Sequence, residues 1–297
     1  MPRLFPTSGR LTGSLSEATS PEAGNESGEK PEGGEKPMLL AVAFDRTVGP
    51  VLDMLDEVGA TAMLASRTFA WTIRPPYRWA QLLTALEFIG AGSTFIVGLV
   101  GLFTGMAFTV SSIVGFRQFS AEGMVGGVVA LALARELAPV LAAVVVTARA
   151  GSTMASELGN MRVTEQIDAI TTMGVSPVQF LVSPRVVATT LMLPLLAVCF
   201  GLAGMVGAYL VAVVWQGIDP GIFFDKIEQF VQPSDLRMLG TKSCLFGLIV
   251  SVICCKKGFF ASGGARGVGE ATAQAVVASI VAIFAADYVV TALMTEL

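Results

Sequence analysis

Five nearly uncharged apolar runs dominate the chain, at residues 88–115, 123–148, 186–215, 238–255 and 273–294. A helix needs about 20 mostly apolar residues to cross the hydrocarbon core of a bilayer, and each run meets or approaches that length. Backbone N–H and C=O groups find no water inside lipid, so a spanning segment must satisfy them within itself. The runs therefore predict an all-α integral membrane protein with five transmembrane helices. Composition agrees, with 53% apolar and 14% charged residues, where a soluble domain carries about 25% charged. Gly98, Gly101 and Gly105 in the first run, and Gly201, Gly204 and Gly207 in the third, have the spacing that lets helices approach closely in lipid.

The flanks differ in character. Residues 1–37 are rich in Gly, Pro, Ser and Glu and cannot bury enough apolar surface to offset ordering, which predicts a disordered acidic tail over about 1–44. No apolar h-region follows Arg3 and Arg10, so no signal peptide is expected. Residues 45–297 form the expected membrane domain, opening with an interfacial segment over 45–87. In it Val51, Leu52, Leu55, Val58, Ala62 and Met63 recur at helical spacing around Asp53, Asp56 and Glu57. This is an amphipathic pattern too polar to span; it fits an interfacial helix or a soluble helix on a cytoplasmic partner. Pro75-Pro76 ends it, and Tyr77 and Trp79 beside Arg74 and Arg78 suit the headgroup level.

Lys and Arg near the run ends are unevenly shared. One side collects Arg74, Arg78, Arg149, Arg162, Arg185, Lys256, Lys257 and Arg266; the other has Arg117, Lys226, Arg237 and Lys242. The richer side is expected in the cytoplasm, with the N-terminus inside, the C-terminus outside and 216–237 as the main external loop.

Several classes of chemistry are excluded. The chain has no histidine, and Cys199, Cys244, Cys254 and Cys255 lie in or beside apolar runs without a CxxC pair. No metal site, disulfide framework or cofactor is expected. Nothing matches a P-loop or a Gly-x-Ser-x-Gly elbow, and Gly263 to Gly269 lacks the phosphate-holding Lys, so it is expected as a flexible turn. An enzyme is not expected. The net charge of −4 carries no basic stripe, which argues against nucleic acid.

Two features depart from a plain bundle. Arg135-Glu136 sits mid-run in Ala-Leu-Ala-Arg-Glu-Leu-Ala-Pro. A charge at that depth costs about 2.5–3.5 kcal/mol on insertion scales, so both need partners or a wet cavity. Adjacent helical residues point about 100° apart, so each faces its own partner. They are read either as a polar feature of a substrate cavity or as a charge pair locking helices together. Pro139 can bend the helix and free carbonyls beside them. The second feature is the stretch 148–177. Val163, Ile167, Ile170 and Met173 form an apolar stripe, and Thr164 to Ile167 is read as a capping box. It suits a docking helix or a helix lying on headgroups. Asp287 is the remaining acid within a run, with a structural bond or a transport role both open.

The ordered set Ala-Arg-Glu-Leu-Ala-Pro-Val-Leu, Ala-Arg-Ala-Gly-Ser, Glu-Leu-Gly-Asn-Met-Arg-Val-Thr-Glu-Gln-Ile-Asp-Ala and Met-Gly-Val-Ser-Pro resembles the MlaE/YrbE permeases. Gly-Ala-Arg-Gly-Val-Gly-Glu-Ala-Thr and Asp-Tyr-Val-Val-Thr-Ala-Leu-Met extend the likeness, which runs from about residue 45 to the end. The resemblance implies a homodimeric inner-membrane permease of an ABC transporter that moves phospholipids or related lipids between membranes. Hydrolysis would lie on a separate cytoplasmic ABC ATPase. An MCE-domain lipid-binding protein would stand on the periplasmic side, and some relatives add a STAS-domain subunit. It makes Glu157 to Met173 a coupling helix, with Glu157, Gly159, Met161, Arg162, Glu165, Gln166 and Asp168 toward the ATPase. Arg135 and Glu136 fall in the lipid pocket, whose apolar walls are assigned to Leu102, Met106, Val110 and Leu133. The alternative function is a membrane scaffold that moves nothing.

Overall fold

The computed structural model describes residues 79–296, together with 59, 61, 63, 65, 66 and 68. The expected acidic tail and most of the expected interfacial helix lie outside the described residues. The fold that is described is all-α, with five helices long and apolar enough to cross a membrane.

The first span, α1 (Trp79–Arg117), is 39 residues long, or about 58 Å at 1.5 Å per residue. It begins within the stretch expected as interfacial, so residues 79–87 are continuous with the helix of the first span. Its buried residues Ile89, Ser93, Val97, Gly101, Gly105, Thr109 and Ile113 recur every four positions. That stripe packs on α4 (Val178–Trp215). A Cβ added at Gly101 would sit 2.6 Å from the Phe200 carbonyl oxygen, and Cβ atoms at Gly105 or Gly207 would also meet backbone oxygens of the facing helix. The small residues thus allow the two backbones to touch. Gly98 has no neighbour within 4 Å, so it takes no part in this seam.

The second long helix, α2 (Glu122–Val163), is interrupted by π-turns at Leu133–Leu137 and Thr147–Gly151. Single π-turns inside α-helices mark places where the side-chain register is shifted. The expected coupling helix over Glu157–Met173 is not one element. Residues up to Val163 finish α2, the chain turns at Thr164-Glu165, and α3 (Gln166–Thr172) is a separate short helix. The expected capping box is also absent: Glu165 precedes α3 with φ 60° and caps nothing through its side chain. Of the stripe, Ile167 is buried, Ile170 half-buried, and Val163 and Met173 exposed.

Beyond α4, the segment read as an external loop contains α5 (Pro220–Phe230). Asp219 accepts a bond from the Ile222 N–H (3.1 Å) and Pro220 occupies the first helical position, which is why a helix starts here. Phe223 is buried against the start of α2, where Gly126 and Gly127 leave room. Then α6 (Pro233–Phe259) opens with a capping box between Gln232 and Asp235, and α7 (Gly264–Glu296) closes the described fold. Gly263 and Gly264 (φ 91° and 69°) make the reversal between them. The expected glycine-rich turn is therefore confined to its first two residues, and Arg266 to Gly269 are helical. Among the five spans α6 is the most enclosed and α7 the least.

Chain order puts α3, the starts of α1, α4 and α7, and the end of α6 at one end of the bundle. The opposite end holds α5, the start of α6 and the end of α7.

Candidate functional site

Lys242 organises the polar interior. It is 0% exposed, about 14 Å along α6 from Pro233. An ammonium buried at that depth persists only with several partners. Its Nζ shares three N–H donors among four acceptors, Glu136 Oε2 (2.8 Å), Asp287 Oδ1 (2.9 Å), Thr291 Oγ1 (2.7 Å) and the Arg135 carbonyl (3.1 Å). The last contact falls within the π-turn Leu133–Leu137, next to Pro139, which has no N–H to donate. Thr291 in turn donates its hydroxyl to the Asp287 carbonyl (2.7 Å), leaving oxygen lone pairs for the ammonium.

Arg135 points elsewhere, as the helical geometry of adjacent residues requires. Its Nε donates to Asp235 Oδ1 (2.7 Å), while Asp235 Oδ2 accepts the Gln232 N–H (2.8 Å). One carboxylate therefore closes the first turn of α6 and holds an arginine of α2. The pairs Arg135–Asp235, Glu136–Lys242 and Lys242–Asp287 tie α2, α6 and α7 together. Two cations face three carboxylates. Lys242 and Asp235 are sealed, but the Arg135 and Glu136 side chains each remain 41% exposed. The network thus has a closed side that fixes helices and an open side that presents both charges away from the subunit core.

The family description "Permease MlaE" matches residues 82–293, a stretch that contains this whole network. The chain belongs to the MlaE permease family. Among its relatives is a "Probable ABC transporter permease protein" of Rickettsia conorii, 37% identical over 237 residues covering 80% of this chain and 92% of the relative. One of the same description from Synechocystis is 38% identical over 237 residues, 80% of this chain and 90% of its own. Arabidopsis thaliana has "Protein TRIGALACTOSYLDIACYLGLYCEROL 1, chloroplastic", 39% identical over 227 residues, 76% of this chain and 65% of its own. The chain is accordingly a multi-pass transporter permease subunit.

The residues expected at the permease's pocket are not all brought together. Arg135 and Glu136 join one network, but Leu133 is fully buried, and a Cβ at Gly204 would touch it at 3.1 Å. Leu102, Met106 and Val110 are half-buried along α1, with Leu102 and Met106 beside Gly207 of α4. Within the subunit Leu133 is a core residue, while Leu102, Met106 and Val110 keep part of their surface exposed. The missing members of the site were Lys242 and Asp235. Lys242 counted as a span-end charge and Asp235 as a loop acid, whereas both lie inside the assembly of α2, α6 and α7. Two adjacent charges within one span were the signal that opposite charges on other spans had to meet them. Arg149, counted at a span end, also lies inside: its Nη1 donates to Phe88 O (3.2 Å) and Ser93 Oγ (3.0 Å).

The residues expected to face an ATPase divide into two sets. Arg162, Glu165, Gln166 and Asp168 stand at the α2–α3 corner, held by the Arg162 Nη1–Asp168 Oδ1 pair (2.7 Å) and a Gln166 Nε2 bond to Thr164 Oγ1 (3.0 Å). Met173, 71% exposed, adds an apolar contact point. Glu157, Gly159 and Met161 lie lower on α2. Glu157 pairs with Arg185 of α4 (2.8 Å), Gly159 faces Val268 of α7, and Met161 packs in a small apolar core.

Proposed function

We propose that this chain is the membrane subunit of an ABC transporter that moves a phospholipid or related lipid, driven by ATP hydrolysis on a separate subunit. One observation carries the reading: a charged network well inside a membrane bundle, sealed at Lys242 and open at Arg135 and Glu136. A purely structural ion network would gain by closing both sides. The open pair offers a cation and an anion to a polar headgroup, with apolar helix faces alongside for acyl chains. The name of the Arabidopsis relative contains a lipid, which agrees with this substrate class.

The α2–α3 corner is the proposed ATPase contact, through Arg162, Glu165, Gln166, Asp168 and Met173. Gly159 supports it from inside against Val268, and exposed Glu157, paired with Arg185, stands on the same helix. Because α2 runs from that corner to Arg135, displacement at α3 is delivered over about 40 Å to the network. The two π-turns are the points where the helix bends most readily.

A homodimer would cover the exposed apolar residues of α1, such as Phe95 and Phe103. Among the described end charges, the α3 end keeps Arg162, Arg185, Lys256, Lys257 and Arg266, against Arg117, Lys226 and Arg237 at the other. That excess supports an α3 end in the cytoplasm of an inner membrane and a periplasmic C-terminus. An MCE-domain protein would then meet the α5 end, and a STAS-domain subunit would join on the ATPase side.

Purification of the tagged chain in mild detergent, with mass spectrometry of bound proteins and lipids, tests the assembly. A stoichiometric ABC ATPase that is lost on Glu165→Lys is the expected result. A chain free of any ATPase, with Glu165→Lys indistinguishable from it, would reject the coupling assignment and favour the scaffold.

A further inference from the structure

Two charges beside the first span have no counter-charge among the described residues. Arg149 of α2 is half-buried. Its Nη1 donates to Phe88 O (3.2 Å) and Ser93 Oγ (3.0 Å), and its guanidinium stands 5.5 Å from the centre of the Phe88 ring. All of these partners are neutral, and no carboxylate among the described residues lies within ion-pair distance of it. Gly92 makes this position possible: a Cβ there would sit 2.6 Å from Arg149 Nη2. Glu87, on α1, is exposed and takes part in no ion pair or side-chain hydrogen bond among the described residues. Both charges stand at the edge of an apolar run. An unpaired charge grows more costly with depth in a bilayer, so each gains from a partner.

Their placement around α1 identifies that partner. Glu87 and Gly92 project about 140° apart around the helix axis, and the exposed Ala91, Phe95 and Leu99 lie between them. The outer face of α1 therefore has an apolar centre, a carboxylate on one flank and, over Gly92, a guanidinium on the other. Within one copy the width of that face holds the two charges apart. A two-fold axis along the bilayer normal keeps each charge at its depth and lays each flank against the opposite flank of the second copy, so the same pair is made twice. Apolar centre and charged edges are the pattern of parallel helix pairs, in which the edge charges set register and partner. We propose that two copies of this chain pack in parallel along the Trp79 half of α1, with Glu87 of each paired to Arg149 of the partner subunit. The pair rests on the homodimer proposed as this chain's functional form, and adds the residues, register and symmetry of its contact.

The test uses the full chain, labelled with donor or acceptor dyes and reconstituted into lipid vesicles, with association followed by energy transfer as the density of copies is lowered. Glu87→Gln breaks no side-chain bond among the described residues of its own subunit, so a role confined to the subunit leaves association unchanged. The reciprocal pair predicts association weakened about a hundredfold, since both ion pairs of the dimer are lost. Arg149→Met should weaken it similarly. An equimolar mixture of the two variants recovers one pair, between the Arg149 retained by one copy and the Glu87 retained by the other. Mixed dimers should therefore form about tenfold more tightly than dimers of either variant alone. Wild-type association with Glu87→Gln unchanged, or a mixture no tighter than its components, would overturn the pair and leave the homodimer standing. Wild-type chains that stay monomeric at every density would reject the homodimer and the pair with it. Should Arg149→Met fail to accumulate, Glu87→Gln against wild type still decides the matter.

Discussion

Lys242 meets four acceptors: the side chains of Glu136, Asp287 and Thr291 and the carbonyl of Arg135. Removing one member of such a set strands the others. Lys242→Met should destabilise the protein by about 3–5 kcal/mol, because Glu136 and Asp287 then lack their cation. Thermal unfolding in detergent measures this, and the triple change Lys242→Met, Glu136→Gln, Asp287→Asn should recover most of the loss. An unaltered melting temperature in the single variant would mean that the ammonium is dispensable to the bundle. Asp219→Ala removes only the α5 cap and should cost about 1 kcal/mol, read in the same assay. Arg135 and Glu136 were legible as anomalies from sequence because adjacent charges interrupt an apolar run. Their partners were less so: Lys242 and Asp235 lie near the start of α6, where hydropathy alone reads them as boundary charges. Only the packing of α2 on α6 reveals that this end of α6 is interior.

At the scale of elements, hydrophobic length identified all five spans, since bilayer thickness imposes a strong and local signal. Their ends were less legible. Helices continue past the apolar runs into polar residues, as α2 does to Val163, because capping and packing on neighbours rather than lipid thickness decide where they stop. The α2–α3 break was missed because Thr164-Glu165 contains no glycine or proline; Glu165 takes a left-handed conformation that its residue type does not announce. Glu165→Gly should therefore stabilise that corner by about 1 kcal/mol, visible as slower local hydrogen exchange. The glycine pattern was informative but unequal in consequence. Gly105→Leu should separate α1 from α4 and prevent stable assembly, whereas Gly98→Leu should be tolerated, as its surroundings are open. Size-exclusion profiles of the two variants would show the contrast.

Across the whole molecule, the arrangement links two regions by one helix. The α2–α3 corner lies at one end of α2, and the same α2 carries Arg135 and Glu136 of the Lys242 network. On the proposed reading that helix connects the ATPase contact to the substrate site, a continuity that a scaffold does not need. The most direct measurement is ATP-dependent movement of fluorescent phospholipid in proteoliposomes containing the chain with its native subunits. The account predicts movement that requires hydrolysable ATP and falls at least about tenfold in Arg135→Ala and Glu136→Ala, while both variants still assemble and hydrolyse ATP. Full lipid movement by both variants would remove the network from the substrate path, and no nucleotide-dependent movement by the intact assembly would contradict the transporter reading itself.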